Sequence, residues 1–433
     1  MFLMKKIFLN LIFAVLTVSA ITIDSYAQSE TISLYPFKAP SVDKYGYINS
    51  AGNIVFEAEF DEARDLNNGI VIYRKGNFYG FINSQGELVD AIFTEIKGVS
   101  ENKVCAKKGN KWSYFDLNGK QVVSKTFDDA YLYNDGLARV LNNDRYGYIN
   151  SSGNYVGKAN FDYAENFSDN VAYASYANKD ATFINKQGKF VLTTKNDYIY
   201  SFHEGIAVFA GNNNRYGYIN KQKKEITKPI FQFADSFYEG LARVKINNKW
   251  GFINNKGNYV VNPKYDHLNN FSEGLAAFRI GTSWGFIDRN ARVVISPEFQ
   301  LANNFSENLA SVKINGIWGY IGTDGRFVIN PRFEEANSFR QGLAAVSNDS
   351  YIDKTGQYIW SPAEYAEKSR AQLRIDSNKY NLRVGQNICV NQWGSSGFCG
   401  SIENVLDDKY TIKVSSINCS GPKCPGACAG NLI

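Results

Sequence analysis

The amino-acid sequence predicts an all-β fold made of small tandem repeats. Three observations lead to this prediction: a motif that returns every 34 residues, strand-like alternation inside each copy, and Asn or Gly at regular turn positions. The motif is clearest at residues 250–253, 284–287 and 318–321. Because a unit of this size cannot bury its own apolar face, neighbouring units must cover it, and we expect one continuous array.

One unit, residues 239–273, shows the predicted elements in order. Leu241–Ile246 alternates and carries Val and Ile, which is typical of a strand. Asn247 and Asn248 predict a tight turn, because Asn tolerates the left-handed backbone that two-residue hairpin turns need. Residues 249–253 are the predicted returning strand.

The second half of the same unit continues this pattern. Gly257 ends a predicted second turn, since glycine readily supplies positive φ. Residues 259–261 predict a third strand, and Pro263 marks a strand edge or end because proline cannot donate to a ladder. Residues 264–271 then cross to the next unit and can hold a short fourth strand.

The Trp-Gly step predicts which side chains share a face of the sheet. Alternate residues of a strand point to opposite faces, so Trp250 and Phe252 share one face, and Gly251 and Ile253 share the other. Both faces are apolar, which predicts cover on both sides. We expect a large side chain to pack against the glycine. We also expect the repeated tryptophans to belong to the core, namely Trp250, Trp284 and Trp318.

Several fixed positions recur together along most of the chain. The aromatic-Gly step returns from Tyr45 to Trp318, a proline follows it at positions 229, 263, 297 and 331, and Phe-Ser-Glu-Gly-Leu-Ala occupies residues 271–276. Together these residues resemble the WG-repeat (KWG-type) family of bacterial proteins over residues 42–360. The resemblance implies an array of β-hairpins, commonly on exported or multi-domain proteins. It implies no reaction and no defined ligand.

Two architectures fit about nine or ten such units. A propeller arranges small antiparallel sheets around an axis, usually with about four to eight blades. An open β-superhelix, or solenoid, stacks its units without closing. The sequence favours a propeller-like array and leaves the open superhelix as the alternative.

Residues 1–27 are predicted to be a secretory signal. Lys5 and Lys6 precede an apolar run over residues 7–18, and Ala27 offers a cleavage site. This run is shorter than the roughly 20 apolar residues that a membrane span needs. We therefore expect an exported chain, cleaved near Ala27, whose mature form has no membrane span and is periplasmic, secreted or at the cell surface.

Composition divides the rest of the chain into four regions. The period stops after Trp360, and a stretch rich in Ala, Glu, Lys and Arg follows, which predicts a short helix. The predicted regions are a lead-in at 28–41, the repeat array at 42–360, a linker with the helix at 361–381, and a small Cys-rich module at 382–433.

The C-terminal module contains three predicted short strands with Gly turns. It looks like a small SH3-like barrel, and a generic disulfide-stapled β module is the alternative. Export exposes cysteines to oxidising conditions, so we expect at least two disulfides within the module. The disulfide candidates are Cys389, Cys399, Cys419, Cys424 and Cys428.

Cys105 stands apart from this group. In the repeat it aligns with Arg139, Arg243 and Ser311, so we predict that it faces solvent. Since five cysteines leave one unpaired, Cys105 is a possible sixth partner.

The sequence offers few residues for catalysis. The two histidines, His203 and His267, occupy variable positions of the repeat, and we predict both at the surface. Neither has an obvious nucleophile beside it, so no catalytic residue is assigned. No metal or cofactor site is assigned either, because the spacing of Cys419, Cys424 and Cys428 matches no tight zinc knuckle.

Carboxylates recur after aromatic residues in several copies. Such a position suits a calcium ligand, a glycosidase group or a turn cap. Repetition favours the turn cap, because catalysis needs a unique pair in one place. The recurring carboxylates are Asp61, Asp128, Asp162, Asp266 and Glu334.

The sequence therefore predicts a non-catalytic binding or scaffold protein. A formal net charge of +5 spread over 433 residues does not indicate a nucleic-acid partner. We expect the repeat surface to meet a protein or glycan of the cell envelope. The alternatives are an envelope-associated glycan hydrolase and a purely structural or adhesive surface repeat. Ligand-binding residues are expected at positions that vary between copies.

Overall fold

The computed structural model describes the repeat array and part of the C-terminal module. The described residues are 33–40, 42–157, 160–176, 181–194, 198–211, 214–367, 387–391, 397–406 and 409–417. They form eleven small antiparallel sheets and one helical segment at residues 362–367. This confirms the predicted all-β fold. In the part of the chain so described, no helix has the length and apolarity to cross a membrane.

Ten sheets follow one another along the array and are numbered in chain order. Sheets 1–5 contain β1 (Tyr35–Ala39), β2 (Lys44–Ile48) and β3 (Ile54–Phe60); β4 (Glu62–Ala63), β5 (Val71–Lys75), β6 (Phe78–Ile82) and β7 (Leu88–Phe93); β8 (Glu95–Ser100), β9 (Lys103–Lys108) and β10 (Lys111–Phe115); β11 (Asp129–Asn134), β12 (Leu137–Asn142) and β13 (Arg145–Asn150); β14 (Tyr163–Ala164), β15 (Val171–Ser175), β16 (Ala181–Asn185) and β17 (Phe190–Thr194).

Sheets 6–10 complete the array with the same order of strands. They contain β18 (Ile206–Ala210), β19 (Tyr216–Asn220) and β20 (Glu225–Phe231); β21 (Phe233–Ala234), β22 (Leu241–Ile246), β23 (Lys249–Asn254) and β24 (Tyr259–Tyr265); β25 (His267–Leu268), β26 (Leu275–Ile280), β27 (Ser283–Asp288) and β28 (Val293–Phe299); β29 (Leu301–Ala302), β30 (Ala310–Ile314), β31 (Ile317–Ile321) and β32 (Phe327–Phe333); β33 (Leu343–Val346), β34 (Ser350–Asp353) and β35 (Tyr358–Trp360).

Sheet 7 shows the path of one unit, a four-stranded meander in the order β21-β22-β23-β24. Asn247 and Asn248 form the predicted turn, with φ of 49° and 61°. Pro263 lies on β24, an edge strand of this sheet, so of the two predicted alternatives the strand edge is confirmed and the strand end is not. Strand β24 continues to Tyr265 through a register shift, so that Val261 pairs with Phe252 and Tyr265 pairs with Trp250. Proline is tolerated at such a bulge because the ladder is interrupted there.

Each sheet buries both of its faces against its two neighbours. On β26, Leu275 and Ala277 face the apolar cluster shared with sheet 9. Ala276 and Phe278 alternate with them and face the cluster shared with sheet 7. The alternation of strand side chains therefore divides every sheet between two interfaces, as the two apolar faces of the repeat predict.

One apolar cluster lies between sheet 1 and sheet 10 and so joins the two ends of the array. Tyr35 and Phe37 of sheet 1 pack with Leu343 and Trp360 of sheet 10. The ring centroids of Phe37 and Trp360 lie 5.0 Å apart. The array therefore closes into a propeller-like ring of ten sheets, as favoured from the sequence, and is not an open superhelix.

The ring begins earlier than the predicted boundary at residue 42. Strand β1, Tyr35–Ala39, lies inside the predicted lead-in and belongs to sheet 1. The reason is that the aromatic-Gly step marks the middle of a unit, and Tyr45-Gly46 lies on β2. At the other end, β35 stops at Trp360, where the repeated motif also stops.

The glycine of the Trp-Gly step is close to backbone in the regular units. A Cβ on Gly285 would lie 2.5 Å from the carbonyl oxygen of Ile295, and one on Gly251 would lie 2.4 Å from that of Val261. The expected large side chain is present at Gly46, where the ring of Phe37 would be 2.6 Å from a Cβ. The prediction of a crowded glycine site is confirmed. In the regular units the crowding comes from backbone atoms of the bulged neighbouring strand.

The repeated tryptophans lie at the edge of the core. Trp250 and Trp284 are half-buried and pack against the clusters that hold Phe252 and Phe286. His267 lies between the two indoles, with ring centroids 6.1 and 5.2 Å away, and is half-buried. Its prediction as a plain surface residue is therefore wrong. Burial, followed by the charge of Arg243, lowers the pKa of His267.

Cys105 is buried, which contradicts the predicted solvent-facing position. It packs in the cluster between sheets 3 and 4, and burial raises its pKa to about 12. Arg139 and Arg243, with which it aligns, do not face bulk solvent either. The Arg243 guanidinium donates to the Leu268 carbonyl at 2.7 Å, across the interface with the next sheet. The position thus faces a neighbouring sheet, and Cys105 fills it as a small apolar side chain.

The C-terminal module contains a separate sheet of β36 (Asn387–Asn391), β37 (Gly397–Leu406) and β38 (Lys409–Ile417). Cys389 and Cys399 are directly opposite each other in the antiparallel register of β36 and β37. Cys419, Cys424 and Cys428 lie outside the described residues. The disulfides and the SH3-like resemblance of this module stay predictions.

Candidate functional site: the cleft at the ring closure

At one rim of the ring, most sheets have a turn that hydrogen-bonds to the turn of the next sheet, and we name this repeated element the acidic turn. In sheet 8 it is formed by Glu273 and Gly274, with φ of 52° and 82°. Two successive positive φ angles explain why Gly or Asn recurs at the second position. Its equivalents are residues 101–102, 135–136, 169–170, 204–205, 239–240 and 307–308.

The acidic turns bind one another around the ring. The carboxylate of Glu273 accepts hydrogen bonds from the backbone N–H groups of Glu307 and Asn308, at 2.7 and 2.8 Å. Beside it, the Ser272 hydroxyl donates to the Phe305 carbonyl at 2.7 Å. The acids at residues 101, 135, 169, 204 and 307 likewise accept from a backbone N–H of the following turn, whereas Glu239 pairs with Arg289. The repeated acids and serines therefore have structural partners.

This pattern changes at sheet 10. The turn there carries Arg340 and Gln341 in place of the Ser and Glu of sheets 8 and 9. Among the described residues, no acidic turn precedes β1 of sheet 1. Arg340 reaches past sheet 1 to the connection between β4 and β5 of sheet 2, where its guanidinium lies 2.7 Å from the Asp65 carboxylate and 3.5 Å from the Leu66 carbonyl oxygen.

Two tyrosines complete the closure, and the Tyr351 hydroxyl donates to the Pro36 carbonyl at 2.8 Å. Tyr35 occupies the β1 position at which other sheets have Ala242 or Ala276, as its pairing with an Ile shows. Its hydroxyl donates to the carbonyl oxygens of Arg340 and Gln341, at 3.1 and 2.5 Å. Burial, followed by the nearby charge of Glu307, raises the pKa of Tyr35 to about 12. The hydroxyl therefore stays a donor at neutral pH.

A cleft of about 310 Å³ opens where the acidic turns are interrupted. Its walls combine aromatic rings with hydrogen-bonding groups of both kinds. Side chains that line it include Tyr35, Asp65, Ser306, Asn337, Arg340 and Tyr351. Such a mixture of apolar wall and a few placed polar groups is typical of a binding site for a small molecule or a short polymer segment.

The recurring carboxylates lie away from this cleft and serve turns. The carboxylate of Asp266 accepts from the Gly281 N–H at 2.7 Å and lies 2.5 Å from the Lys249 ammonium. The Lys249 hydrogen bond, followed by that of Gly281, lowers the pKa of Asp266. Asp61 and Asp128 make the same contacts in sheets 2 and 4. The turn-cap interpretation is confirmed for these three.

The remaining sequence candidates do not converge on the cleft. His203 is exposed beside the acidic turn of sheet 6, and His267 lies between tryptophans. No group of three His, Cys, Asp or Glu side chains that could hold a metal ion occurs in the described ranges. Sequence reasoning missed Tyr35 and Arg340. The signal available was Arg340-Gln341, a departure from the Ser-Glu pair of the preceding copies.

A closed ring of repeated antiparallel sheets defines the class of this protein as a propeller-like tandem-repeat protein. The chain belongs to the family that carries the WG containing repeat, as its motifs predicted, because the family model matches nine segments. The matched segments are residues 45–77, 79–112, 112–146, 146–179, 182–214, 216–250, 250–281, 284–316 and 318–351.

Solved structures similar to this chain have low sequence identity. A crystal structure of the eukaryotic initiation factor is 10% identical and covers 75% of this chain and 99% of that chain, with a TM-score of 0.47. BamB from Moraxella catarrhalis is 10% identical and covers 61% and 94%, with a TM-score of 0.33. PorZ, a surface component of the type-IX secretion system of Porphyromonas gingivalis, is 10% identical and covers 84% and 62%, with a TM-score of 0.26. No curated protein matches the sequence.

Proposed function

We propose that this chain is an exported, non-catalytic binding or scaffold protein whose ring meets a protein or glycan of the cell envelope. The observation that carries the proposal is the cleft at the ring closure. The repeated Glu, Ser and Gly positions are used in holding the ring together. The cleft, by contrast, has Arg340 and Tyr35 in its lining, two residues that differ from the repeat, beside the repeated Ser306.

The cleft favours binding over glycan hydrolysis. Hydrolysis by the usual mechanism needs two carboxylates about 5 to 9 Å apart. Asp65 is the carboxylate that lines the cleft, and it is paired with Arg340 at 2.7 Å. A single carboxylate can accept hydrogen bonds from hydroxyl or amide donors of a ligand, whereas the usual hydrolysis needs a second carboxylate across the cleft.

Export rests on the N-terminal sequence. Lys5, Lys6 and the apolar run at residues 7–18 have the order of a secretory signal, with Ala27 at the cleavage position. The intact mass of the protein recovered from the envelope fraction should match a chain that begins near Gln28. A mass that includes residues 1–27 would exclude cleavage.

Binding is tested by sedimentation of the purified mature protein with cell envelopes of the organism that encodes it. We expect saturable co-sedimentation that the Arg340→Ala variant weakens by about tenfold, since loss of a charged hydrogen-bonding partner costs roughly 1.5 kcal/mol. The matched control is Arg326→Ala, because the Arg326 side chain is 89% exposed on a turn of sheet 9. Equal weakening by both variants would contradict a role of the cleft.

The same assay separates the possible partners. Envelopes treated with protease lose binding if the partner is a protein, and envelopes treated with glycan hydrolases lose it if the partner is a glycan. Release of reducing sugar ends by the purified protein would instead support the hydrolase alternative. If the protein stays in the supernatant at every concentration, the structural or adhesive alternative replaces the proposal.

A further inference from the structure

A row of four neighbouring tyrosines, three exposed and Tyr173 half-buried, lies on sheets 5 and 6, at a distance in the ring from the closure. We name it the tyrosine patch: Tyr163, Tyr173, Tyr198 and Tyr200, with Glu165 among them. The ring centroids of Tyr163 and Tyr173 are 5.7 Å apart, those of Tyr173 and Tyr198 are 6.2 Å apart, and those of Tyr198 and Tyr200 are 4.8 Å apart. Tyr216 extends the row, 6.3 Å from Tyr200.

The patch remains open to solvent although its rings touch. Tyr163, Tyr198 and Tyr200 are 43%, 47% and 40% exposed. Contiguous exposed aromatic surface is unusual on a soluble protein and marks sites of interaction. The tyrosine side chains come from two neighbouring sheets and therefore form a row across the surface of the propeller-like ring.

A carboxylate provides polar contacts at the centre of this row. Glu165 accepts hydrogen bonds from the hydroxyls of Tyr163 at 3.2 Å, Tyr198 at 3.4 Å and Ser201 at 3.1 Å. Burial, followed by the charge of Glu165, raises the pKa of Tyr198 to about 12, so its hydroxyl remains protonated. The row thus combines apolar ring faces with an acceptor and oriented hydroxyls.

The ring itself does not require these tyrosines. The register places Tyr163 at the position that holds Phe233, His267 and Leu301 in sheets 7, 8 and 9. Tyr173 stands at the position of Cys105, which is a small side chain. Other sheets fold with unrelated residues at the positions of Tyr163 and Tyr173, so the ring fold does not require tyrosine at either position.

We infer that the tyrosine patch is a binding surface for a neutral polysaccharide. Pyranose rings present C–H faces that stack on aromatic rings, and their hydroxyls can donate to Glu165. An anionic polymer is disfavoured by the Glu165 charge. This inference goes beyond the proposed function, because it assigns a second surface and a ligand class that do not depend on the closure cleft.

The test is sedimentation of the full mature protein with two insoluble neutral polysaccharides, chitin and cellulose, and with purified peptidoglycan, which carries carboxylates, as the anionic comparison. We expect saturable binding to chitin or cellulose, and binding to peptidoglycan alone would overturn the inference. Tyr198→Ala and Tyr200→Ala should each raise the apparent Kd by about threefold to tenfold, the range of a lost ring contact. The matched control is Tyr238→Ala, because Tyr238 is 67% exposed on sheet 7, outside the patch, and it should bind like the wild type.

Two further variants identify the chemistry. Tyr198→Phe keeps the ring and should lose less than twofold. Glu165→Gln keeps the acceptor and removes the charge, so a neutral glycan should still bind within a few-fold, whereas loss of all binding would indicate a cationic ligand and overturn the inference. Absence of wild-type binding to all three polymers, or equal loss in Tyr238→Ala, would also overturn it. Because cleft variants are measured separately on whole envelopes, either proposal can fail alone.

Discussion

The interface between sheets 8 and 9 and the closure between sheets 10 and 1 bury the same kind of surface with different residues. At the regular interface, Glu273 binds the following turn, and small residues such as Ala277 fill the core. At the closure, Tyr35 stands where sheets 7 and 8 have alanine, and Arg340 stands where sheets 8 and 9 have serine. The difference shows that repeated residues build the ring and that the cleft arises where they are replaced.

The largest expected effect comes from crowding a regular unit. In Gly285→Val the new side chain meets the Ile295 carbonyl oxygen and the Pro297 nitrogen, at 2.5 and 2.8 Å from the Cβ. Backbone atoms cannot rotate away, so we expect a loss of roughly 3 kcal/mol or more in the free energy of unfolding, measured in urea. Gly281→Asn is the control, since its site is open and sheet 7 has Asn247 there. Equal stability of the two variants would contradict the crowding.

A matched pair of phenylalanines compares closure and regular interface directly. Phe37 and Phe278 are both buried, and each pairs across its hairpin with the glycine of the aromatic-Gly step. Replacing either by alanine should cost about 3 to 5 kcal/mol of unfolding free energy in urea. Only Phe37→Ala should loosen the closure and raise the radius of gyration measured by small-angle X-ray scattering. Unchanged dimensions for both variants would show that β1 does not hold the ring shut.

Tyr35→Phe tests the polar part of the closure. The variant removes hydrogen bonds to Arg340 and Gln341 and should lose about 1 kcal/mol of unfolding free energy at neutral pH. The folded pKa of about 12 is above the ordinary value of 10.0. Its contribution is therefore fully present below pH 10 and is lost as pH rises towards 12. Over this pH range the urea midpoint should fall less in the variant than in the wild type. An equal fall in both proteins would contradict this role of Tyr35.

The smallest effect is expected at an exposed turn of a regular sheet. Since the bonds from Lys249 and Gly281 lower the pKa of Asp266, its contribution is present above the ordinary value of 3.8 and is lost as pH falls through the folded value. Asp266→Asn should slightly lower the urea midpoint at pH 7 and leave it less dependent on acid. Glu298→Gln, an exposed site on β28, is the control. A variant as acid-sensitive as the wild type would argue against this role.

Local chemistry explains what the sequence could predict. The strand Leu241–Ile246 and the turn at Asn247 and Asn248 lie where predicted, because alternation and turn preference depend on adjacent residues only. The crowded glycine was also predictable, although the bulge beside Pro263 was not, since a register shift depends on the partner strand.

Contacts between distant residues explain what the sequence could not predict. Tyr35 lies in a segment without the aromatic-Gly step, and its acceptor Arg340 is 305 residues away. Cys105 looked exposed because Arg139 and Arg243 share its position. Only the structure shows that the Arg243 side chain crosses to the next sheet. The sequence shows that Arg340 departs from the repeat, but the cleft beside it exists only because the ring closes.

The closing contacts of β1 also set an order of assembly. Tyr351 and Pro36 are 315 residues apart in sequence, whereas acidic turns join residues 34 or 35 apart. Because closing a longer loop costs more chain entropy and contacts that are distant in sequence form slowly, we expect the units to fold as a growing open arc. In such an arc, one face of sheet 1 stays uncovered until sheet 10 has folded. While the arc is open, its uncovered end sheets can pair with those of a second chain. Closure of the ring is therefore the folding step at which domain swapping is most expected.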